Sequence, residues 1–219
     1  MLPSRMLATA SLAAVCLLVA CGGDDDGGDS TDTAEFDAGV DNFPDAAVVV
    51  CTDFAALDLG ALEPIPGAEA VQQANPDPPE GNPDAKVLRL RGNGANGEKP
   101  DLVEIELWDG LGAFEGGVAE SGTYEIAGDE TQVVTCGVCL YIYSDATVVD
   151  GEVVDSGKDY IATGGSITVD SVTGNLTGSL TDVTFSEIDW TSELGSALDG
   201  GCTTAIPSAT FDVPITVEE

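Results

Sequence analysis

Two cysteines three positions apart, Cys136 and Cys139, form a CxxC motif. Such a pair can exchange disulfides, ligate zinc or form a structural disulfide. Redox catalysis needs the first cysteine at a helix N-terminus, where the thiolate is stabilised, but the flanking segments QVVT and LYIY favour strands. A zinc knuckle needs a second closely spaced pair, and Cys51 and Cys202 each stand alone. The N-terminus predicts export and assigns its own two cysteines to the leader and the lipid anchor, so the remaining four cysteines predict two structural disulfides.

The pairing of these cysteines depends on the backbone between Cys136 and Cys139. In an extended strand the two residues would lie about 10 Å apart and point to opposite faces. A disulfide requires Cα atoms within roughly 4.4–6.8 Å. We therefore expect both to bond to distant partners, Cys51 and Cys202, in an order that the sequence leaves open. The alternative, a bond between Cys136 and Cys139, needs a tight turn, which Gly137 permits.

Several classes of enzyme are excluded because the chain contains no histidine. It can form neither a Ser-His-Asp nor a Cys-His arrangement, and it lacks imidazole metal ligands. No glycine-rich phosphate loop follows a strand and opens a helix. Paired carboxylates could serve a glycosidase, but among 40 acidic residues such pairs arise by chance, and aromatic residues make up only 5% of the chain. We predict a non-catalytic binding, structural or adhesion domain without a cofactor. The alternative is a carbohydrate-binding protein or a small polysaccharide-active enzyme that uses paired carboxylates.

Four aromatic residues are candidates for a ligand platform: Trp108, Trp190, Tyr141 and Tyr143. Exposed on one face, their rings could stack against a sugar. The competing interpretation, which we favour, is that these large side chains fill the core. The period of two residues nevertheless places Trp108 on the same side of its strand as Glu106, so an outward-facing Trp108 would favour the platform.

The charge of the chain restricts its partners. Forty acidic residues against six basic ones give a formal charge of −34. This surface repels nucleic acid, whose binding depends on lysine and arginine, and it opposes direct contact with an anionic membrane. We expect a monomeric domain with surface glycans or other envelope proteins as partners, and no nucleic acid.

Alternation between apolar and polar residues predicts one β-domain, residues 46–219. In the segment LVEIELW, Ile105 and Leu107 lie on one face of a strand, whereas Glu104 and Glu106 lie on the other. Similar short segments follow, separated by Gly, Asn, Asp and Ser. The fold class that this pattern favours is all-β, an antiparallel sandwich or a jelly roll.

Most of the basic residues fall near the first predicted hairpin. If the segments KVLRLRG and LVEIELW pair so that Arg91 lies opposite Glu104, then Arg89 lies opposite Glu106. Such cross-strand ion pairs contribute about 0.2–1 kcal/mol each and would help to set the register. The functional alternative is a pair of arginines that binds an anion.

The N-terminus predicts export and a lipid anchor. Arg5 precedes an apolar run, Met6–Ala20, that has the form of a signal peptide and is too short to span a bilayer. The small residue before Cys21 resembles the bacterial lipobox, which predicts a signal peptide over residues 1–20 and acyl chains such as palmitate on Cys21. The alternative is an ordinary leader cut nearby. Gly22, where aspartate would signal inner-membrane retention, favours the outer membrane or cell surface.

Residues 21–45 have a different composition from the rest of the chain, with the acidic tract GGDDDGGD near their start. Low hydrophobicity and a block of like charge predict a disordered tether. A calcium loop starting at Asp24 would place Gly28 and Asp29 at its fifth and sixth positions, the reverse of the EF-hand order. We therefore expect a solvated linker, with at most weak and non-specific Ca²⁺ binding.

Four segments of the β-domain, GTYEIAG, TCGVCLYIYSD, GSLTDVTFSEI and PSATFDV, together resemble uncharacterised acidic surface lipoproteins of myxobacteria and their relatives. The resemblance covers roughly residues 122–213, with the lipobox in addition. It implies a β-domain at the cell surface and supplies no catalytic residues.

Overall fold

A computed structural model of the chain describes residues 59–94, 100–149 and 152–218. All of these belong to one compact unit, Asp45–Glu219. A second unit, Met1–Pro44, lies outside the described residues.

Several predictions fall outside the described residues as well. These are the signal peptide, the lipidation of Cys21, the acidic tether over residues 21–45 and the partner assigned to Cys51. They stay predictions. Among the described residues, no helix is long and apolar enough to cross a membrane.

The described residues form β-strands joined by turns, with two short 3-10 helices at Gly112–Phe114 and Gly128–Thr131. The all-β prediction is therefore confirmed. The strands are β1 (Ala61–Leu62), β2 (Glu69–Ala74), β3 (Lys86–Asn93), β4 (Leu102–Trp108), β5 (Gly122–Glu125), β6 (Val138–Tyr143), β7 (Thr147–Val149), β8 (Glu152–Asp155), β9 (Asp159–Thr173), β10 (Asn175–Asp189), β11 (Ser196–Ala197) and β12 (Thr203–Val217).

Ten strands form one sheet whose pairings close on themselves. The circuit runs β2–β3–β4–β6–β9–β10–β12 and returns to β2. Strands β7 and β8 form a separate hairpin. Most pairings are antiparallel, but β12 runs parallel to β1 and β2. The predicted antiparallel arrangement thus holds for most of the sheet, and the two parallel pairings join the last strand to the first two across most of the chain.

The register of the long strands β9 and β10 shifts at three places. One of these shifts lies between Thr181 and Thr184, opposite Gly165. Gly165 has a φ of +93° and packs so closely on the backbone of Asp182 that a side chain would collide there. Because a β-bulge increases the local bend and twist of a strand, this site helps the sheet to curve around its core.

The main hydrophobic core lies on the inner face of this sheet. Leu90, Ile105 and Leu107 belong to it, as the alternation predicts. The largest fully buried side chains are Tyr160 and Phe185. The predicted pairing of β3 with β4 is also confirmed, with the two arginines opposite the two glutamates.

Candidate functional site

A cavity of about 390 Å³ lies on the face of β3, β4 and β6 that points away from the main core. We call it the aromatic cavity because Trp108, Trp190, Tyr141 and Tyr143 all line it. Its charged lining consists of two arginines and five carboxylates: Arg89, Arg91, Glu104, Glu106, Glu152, Asp155 and Asp159. Strand β8 borders it. The structure thus brings together the four aromatic residues and the arginine pair that the sequence analysis singled out separately.

The glutamates beneath the cavity are buried, which the sequence did not indicate. Glu104 is 2% exposed and Glu106 is 6% exposed. Arg89 Nε donates to Glu106 Oε1 at 2.7 Å, and Arg91 Nε donates to Glu104 Oε2 at 2.5 Å. The predicted ion pairs are therefore present, and their carboxylates are buried rather than exposed at the surface.

The remaining carboxylate oxygens are also bonded. Tyr143 donates its hydroxyl proton to Glu104 Oε1 at 3.2 Å, and Trp108 Nε1 donates to Glu106 Oε2 at 2.9 Å. Each of the four oxygens thus accepts a hydrogen bond from a neighbouring side chain. This network holds the two aromatic rings in fixed positions at the edge of the cavity.

Burial and charge shift the titration of this network. Burial raises the pKa of Glu104, and the nearby Glu106 raises it further, whereas Arg91 and Arg89 oppose the shift. Burial alone would lower the pKa of Arg89, but the attraction of Glu106 and Glu104 outweighs it and raises that pKa. Burial and the same two carboxylates also raise the pKa of Tyr143, so its phenol stays protonated and remains a donor.

The four aromatic side chains do not belong to the main core. Trp190 is 59% exposed, and its Nε1 donates to Asp159 Oδ2 at 2.9 Å. Tyr141 is buried in a smaller cluster on the outer face, against which Trp108 and Tyr143 pack. The rings of Tyr141 and Tyr143 stack with centroids 6.1 Å apart. Our favoured interpretation, that these residues fill the core, is wrong for Trp190.

Beside the cavity, Cys136 and Cys139 form a disulfide with each other, with Cα atoms 5.3 Å apart. The expectation that both reach distant partners is therefore wrong. The reason is local: β6 begins only at Val138, and the backbone bends at Gly137. A side chain at Gly137 would collide with the carbonyl oxygen of Leu111. The bend brings the two cysteines together, so the extended geometry does not apply.

The fourth cysteine of the domain, Cys202, is also disulfide-bonded. Its partner lies outside the described residues. Nearby, Lys158 Nζ donates to Glu187 Oε2 at 2.6 Å and lies 3.3 Å from the sulfur of Cys202.

Sequence reasoning missed Glu130, which supports the disulfide loop. Its buried carboxylate accepts hydrogen bonds from the backbone N–H groups of Ala113 and Val138, both at 2.6 Å. Burial raises the pKa of Glu130, while these backbone donors oppose that shift. No sequence motif marks this residue, because its partners are backbone atoms of the 3-10 helix Gly112–Phe114 and of the first residue of β6.

Sequence reasoning also missed the carboxylates contributed by β8 and its neighbours. Glu152 Oε1 accepts a hydrogen bond from Arg89 Nη1 at 3.1 Å. A neighbouring cavity of about 420 Å³ shares Arg89, Arg91 and Glu152, but no aromatic side chain lines it. The aromatic cavity is therefore the stronger candidate for a ligand site.

In the part of the chain that the structure describes, no group of three or more cysteine or carboxylate side chains is arranged to hold a metal ion. No family model, no curated protein and no solved structure matches the chain. The resemblance to acidic surface lipoproteins therefore stays a prediction.

Proposed function

We propose that this protein is a lipid-anchored binding protein of the cell envelope, and that its β-domain holds its ligand in the aromatic cavity. One observation carries the proposal: four aromatic side chains converge on one open cavity of about 390 Å³ whose charged groups are held by hydrogen bonds. Ligand pockets commonly have volumes of roughly 300–1,000 Å³ and combine apolar walls with a few oriented polar groups.

The hydrogen bonding of the glutamates favours binding over catalysis. A glycosidase needs one carboxyl group to donate a proton and another to attack or activate water. Here Glu104 and Glu106 each accept one bond from an arginine and a second from an aromatic side chain. Their oxygens are engaged in holding the cavity wall, so the pair suits a scaffold rather than an acid and a nucleophile.

The anchor and the location rest on the sequence. The lipobox-like segment before Cys21 would place the chain on a membrane, and the acidic residues after it would keep the domain away from the lipid. The outer membrane or cell surface is the favoured location. There the first candidate ligands are surface glycans, because a sugar ring stacks on indole and phenol rings.

The binding proposal is tested by retention of envelope polysaccharide on the processed chain, made with a Cys21→Ser change that keeps it free of lipid. The exposed Trp190 supplies the decisive variant, because Trp190→Ala removes a ring of the cavity without opening the core. Val118→Ala is the matched control, since Val118 is exposed and lies outside the cavity. We expect loss of retention in Trp190→Ala alone. Equal retention by the Cys21→Ser chain and by the Trp190→Ala and Val118→Ala variants made in it would overturn the proposed site.

The anchor is tested separately by intact-mass analysis of the native protein. We expect a mass that includes acyl chains on Cys21 and lacks residues 1–20. A Cys21→Ser chain should lose the acyl mass and leave the membrane fraction. Absence of acyl mass from the wild-type protein would contradict the anchor and leave the cavity proposal standing.

A further inference from the structure

The charge lining the aromatic cavity is negative. Two guanidinium groups face five carboxylates, which gives a formal charge of −3. The guanidinium of Arg89 already bonds Glu106 and Glu152, and that of Arg91 bonds Glu104. An anionic ligand would have to break these pairs and enter a negative site. The electrostatics therefore favour a neutral or a cationic ligand.

The polar hydrogens of three aromatic rings are directed at carboxylates. Trp108 Nε1 donates to Glu106 and Trp190 Nε1 donates to Asp159, both at 2.9 Å. The hydroxyl of Tyr143 donates to Glu104 at 3.2 Å. These donors are engaged by the protein, so the rings offer a ligand mainly their faces, and the carboxylates of the wall add negative charge.

Faces of this kind attract cations. An aromatic ring carries partial negative charge on its face, and a cation placed over tryptophan gains the most from it. A hydrogen bond from the ring to a carboxylate polarises the ring in the direction that increases this negative charge. Trp108 and Trp190 both have this arrangement, and both line the cavity.

Apolar packing behind Tyr141 strengthens the attraction. Tyr141 lines the cavity and belongs to a buried cluster with the Cys136–Cys139 disulfide and Ile161. Apolar surroundings of this kind have a lower effective dielectric than water, which makes each charge interaction stronger. A cation that enters is therefore held both by ring faces and by carboxylates, whereas a neutral group gains only the stacking.

We propose that the ligand group bound in the aromatic cavity is an alkylammonium cation, either the amine of an amino sugar or a quaternary ammonium head group. This inference rests on the proposed function and specifies the ligand of the same site. It assigns ligand contact to Trp108 and Trp190 and charge complementarity to Asp159 and Asp155, the latter exposed at the cavity.

Intrinsic fluorescence provides a direct test. Trp108 and Trp190 are the two tryptophans of the whole chain, and both line the cavity. The processed Cys21→Ser chain is titrated with choline and, separately, with 3,3-dimethylbutan-1-ol, which has the same shape without the charge. Glucosamine and glucose form a second matched pair. We expect the charged member of at least one pair to bind about tenfold or more tightly than its neutral partner.

Two variants locate the effect. Asp159→Asn removes one charge and keeps an oxygen that can accept the bond from Trp190, so it should weaken binding of the cation several-fold and leave the neutral partner unchanged. Glu115→Gln removes an exposed charge outside the cavity and is the matched control. If both variants weaken cation binding equally, the effect is one of net charge and the inference is overturned.

The outcomes separate this inference from the proposed function. A preference for choline identifies a quaternary head group, and a preference for glucosamine identifies an amino sugar; either supports the inference. Equal binding of charged and neutral partners, or no fluorescence change with any of the four, overturns it. If envelope polysaccharide is still retained in a manner that depends on Trp190, the binding function stands with a neutral ligand. If neither the preference for a charged ligand nor the retention that depends on Trp190 is observed, both proposals are overturned.

Discussion

The two faces of β4 are equally buried and chemically opposite. Ile105 on the inner face is 0% exposed and touches hydrocarbon. Glu104 and Glu106 on the outer face are almost as buried, but they contact arginine, tyrosine and tryptophan. Burial of the first face is favourable by itself, whereas burial of the second is tolerated only because each charge has a partner. The inner face therefore stabilises the fold, and the outer face is free to shape a site.

The largest expected effect comes from the inner face. Ile105→Ala should lower the free energy of unfolding by about 4 kcal/mol, because it removes buried methyl and methylene groups and leaves a cavity. Ile105→Val should cost only about 1 kcal/mol. Urea unfolding measures both. A cost for Ile105→Ala as small as that for Ile105→Val would show that this face is loosely packed.

On the outer face, the partner matters more than the volume. Glu104→Ala should cost about 3 kcal/mol, since it leaves Arg91 without its buried carboxylate. Replacing both Glu104 and Arg91 with methionine should recover most of that loss, because a buried ion pair contributes little beyond a well-packed apolar pair. Urea unfolding of the single and double variants tests this. A double variant as unstable as Glu104→Ala would mean that the face depends on shape, as the inner face does.

The disulfide beside the outer face should contribute less to the free energy of unfolding than Ile105 or Glu104 does. Replacing Cys136 and Cys139 with serine opens a short loop, which in the chain-entropy treatment costs about 2 kcal/mol. The disulfide packs in the cluster that supports Tyr141 and Trp108. In the double serine variant, tryptophan fluorescence should therefore change at denaturant concentrations where the far-ultraviolet β signal persists. Simultaneous loss of both signals would contradict the separation of the two faces.

The pH dependence of stability should distinguish the faces without changing the fold. The pKa of Glu104 is raised, chiefly by burial, so the folded state keeps this proton at a pH where the unfolded chain has lost it. The contribution of this proton to the free energy of unfolding is complete below the ordinary carboxyl pKa. It is lost as the pH rises through the pKa that Glu104 has in the folded state. Wild-type stability should therefore increase on acidification from about pH 7 to about pH 5.

Glu104→Gln should show a smaller increase over the same interval. The increase should not vanish, because burial raises the pKa of Glu130 in the same direction. Glu115→Gln, which changes an exposed carboxylate, is the control and should follow the wild type. If the free energy of unfolding of Glu104→Gln changes with pH as steeply as that of the control, the pH dependence does not come from Glu104 on the buried outer face.

The smallest effect is expected at the border of the cavity. Glu152 is exposed, and its bond to Arg89 is open to solvent. Glu152→Gln should change the free energy of unfolding by about 0.2–1 kcal/mol, and salt should reduce the difference. Denaturation at low and high salt measures it. A larger, salt-independent cost would mean that this pair belongs to the buried network.

Much of the fold was predictable because the determining signals are local. The period of two residues assigns Ile105 to one face and Glu104 to the other, and pairing Arg91 with Glu104 sets the register of β3 against β4. The platform residues could also be named in advance, because tryptophan and tyrosine are scarce in this chain. Their convergence on one cavity could not.

The sequence by itself determined the all-β class, the faces of the strands and the register of β3 against β4, since these depend on neighbours along the chain. Tertiary structure alone decided that the charged face is buried and that Glu130 joins the 3-10 helix Gly112–Phe114 to the start of β6. Those outcomes depend on contacts between separate segments, such as Arg89 with Glu152, 63 residues apart. The Cys136–Cys139 bond depends instead on a local bend at Gly137, which the sequence permitted without requiring. Alternation reports which side of a strand a residue occupies, but only the packed fold determines what covers that side.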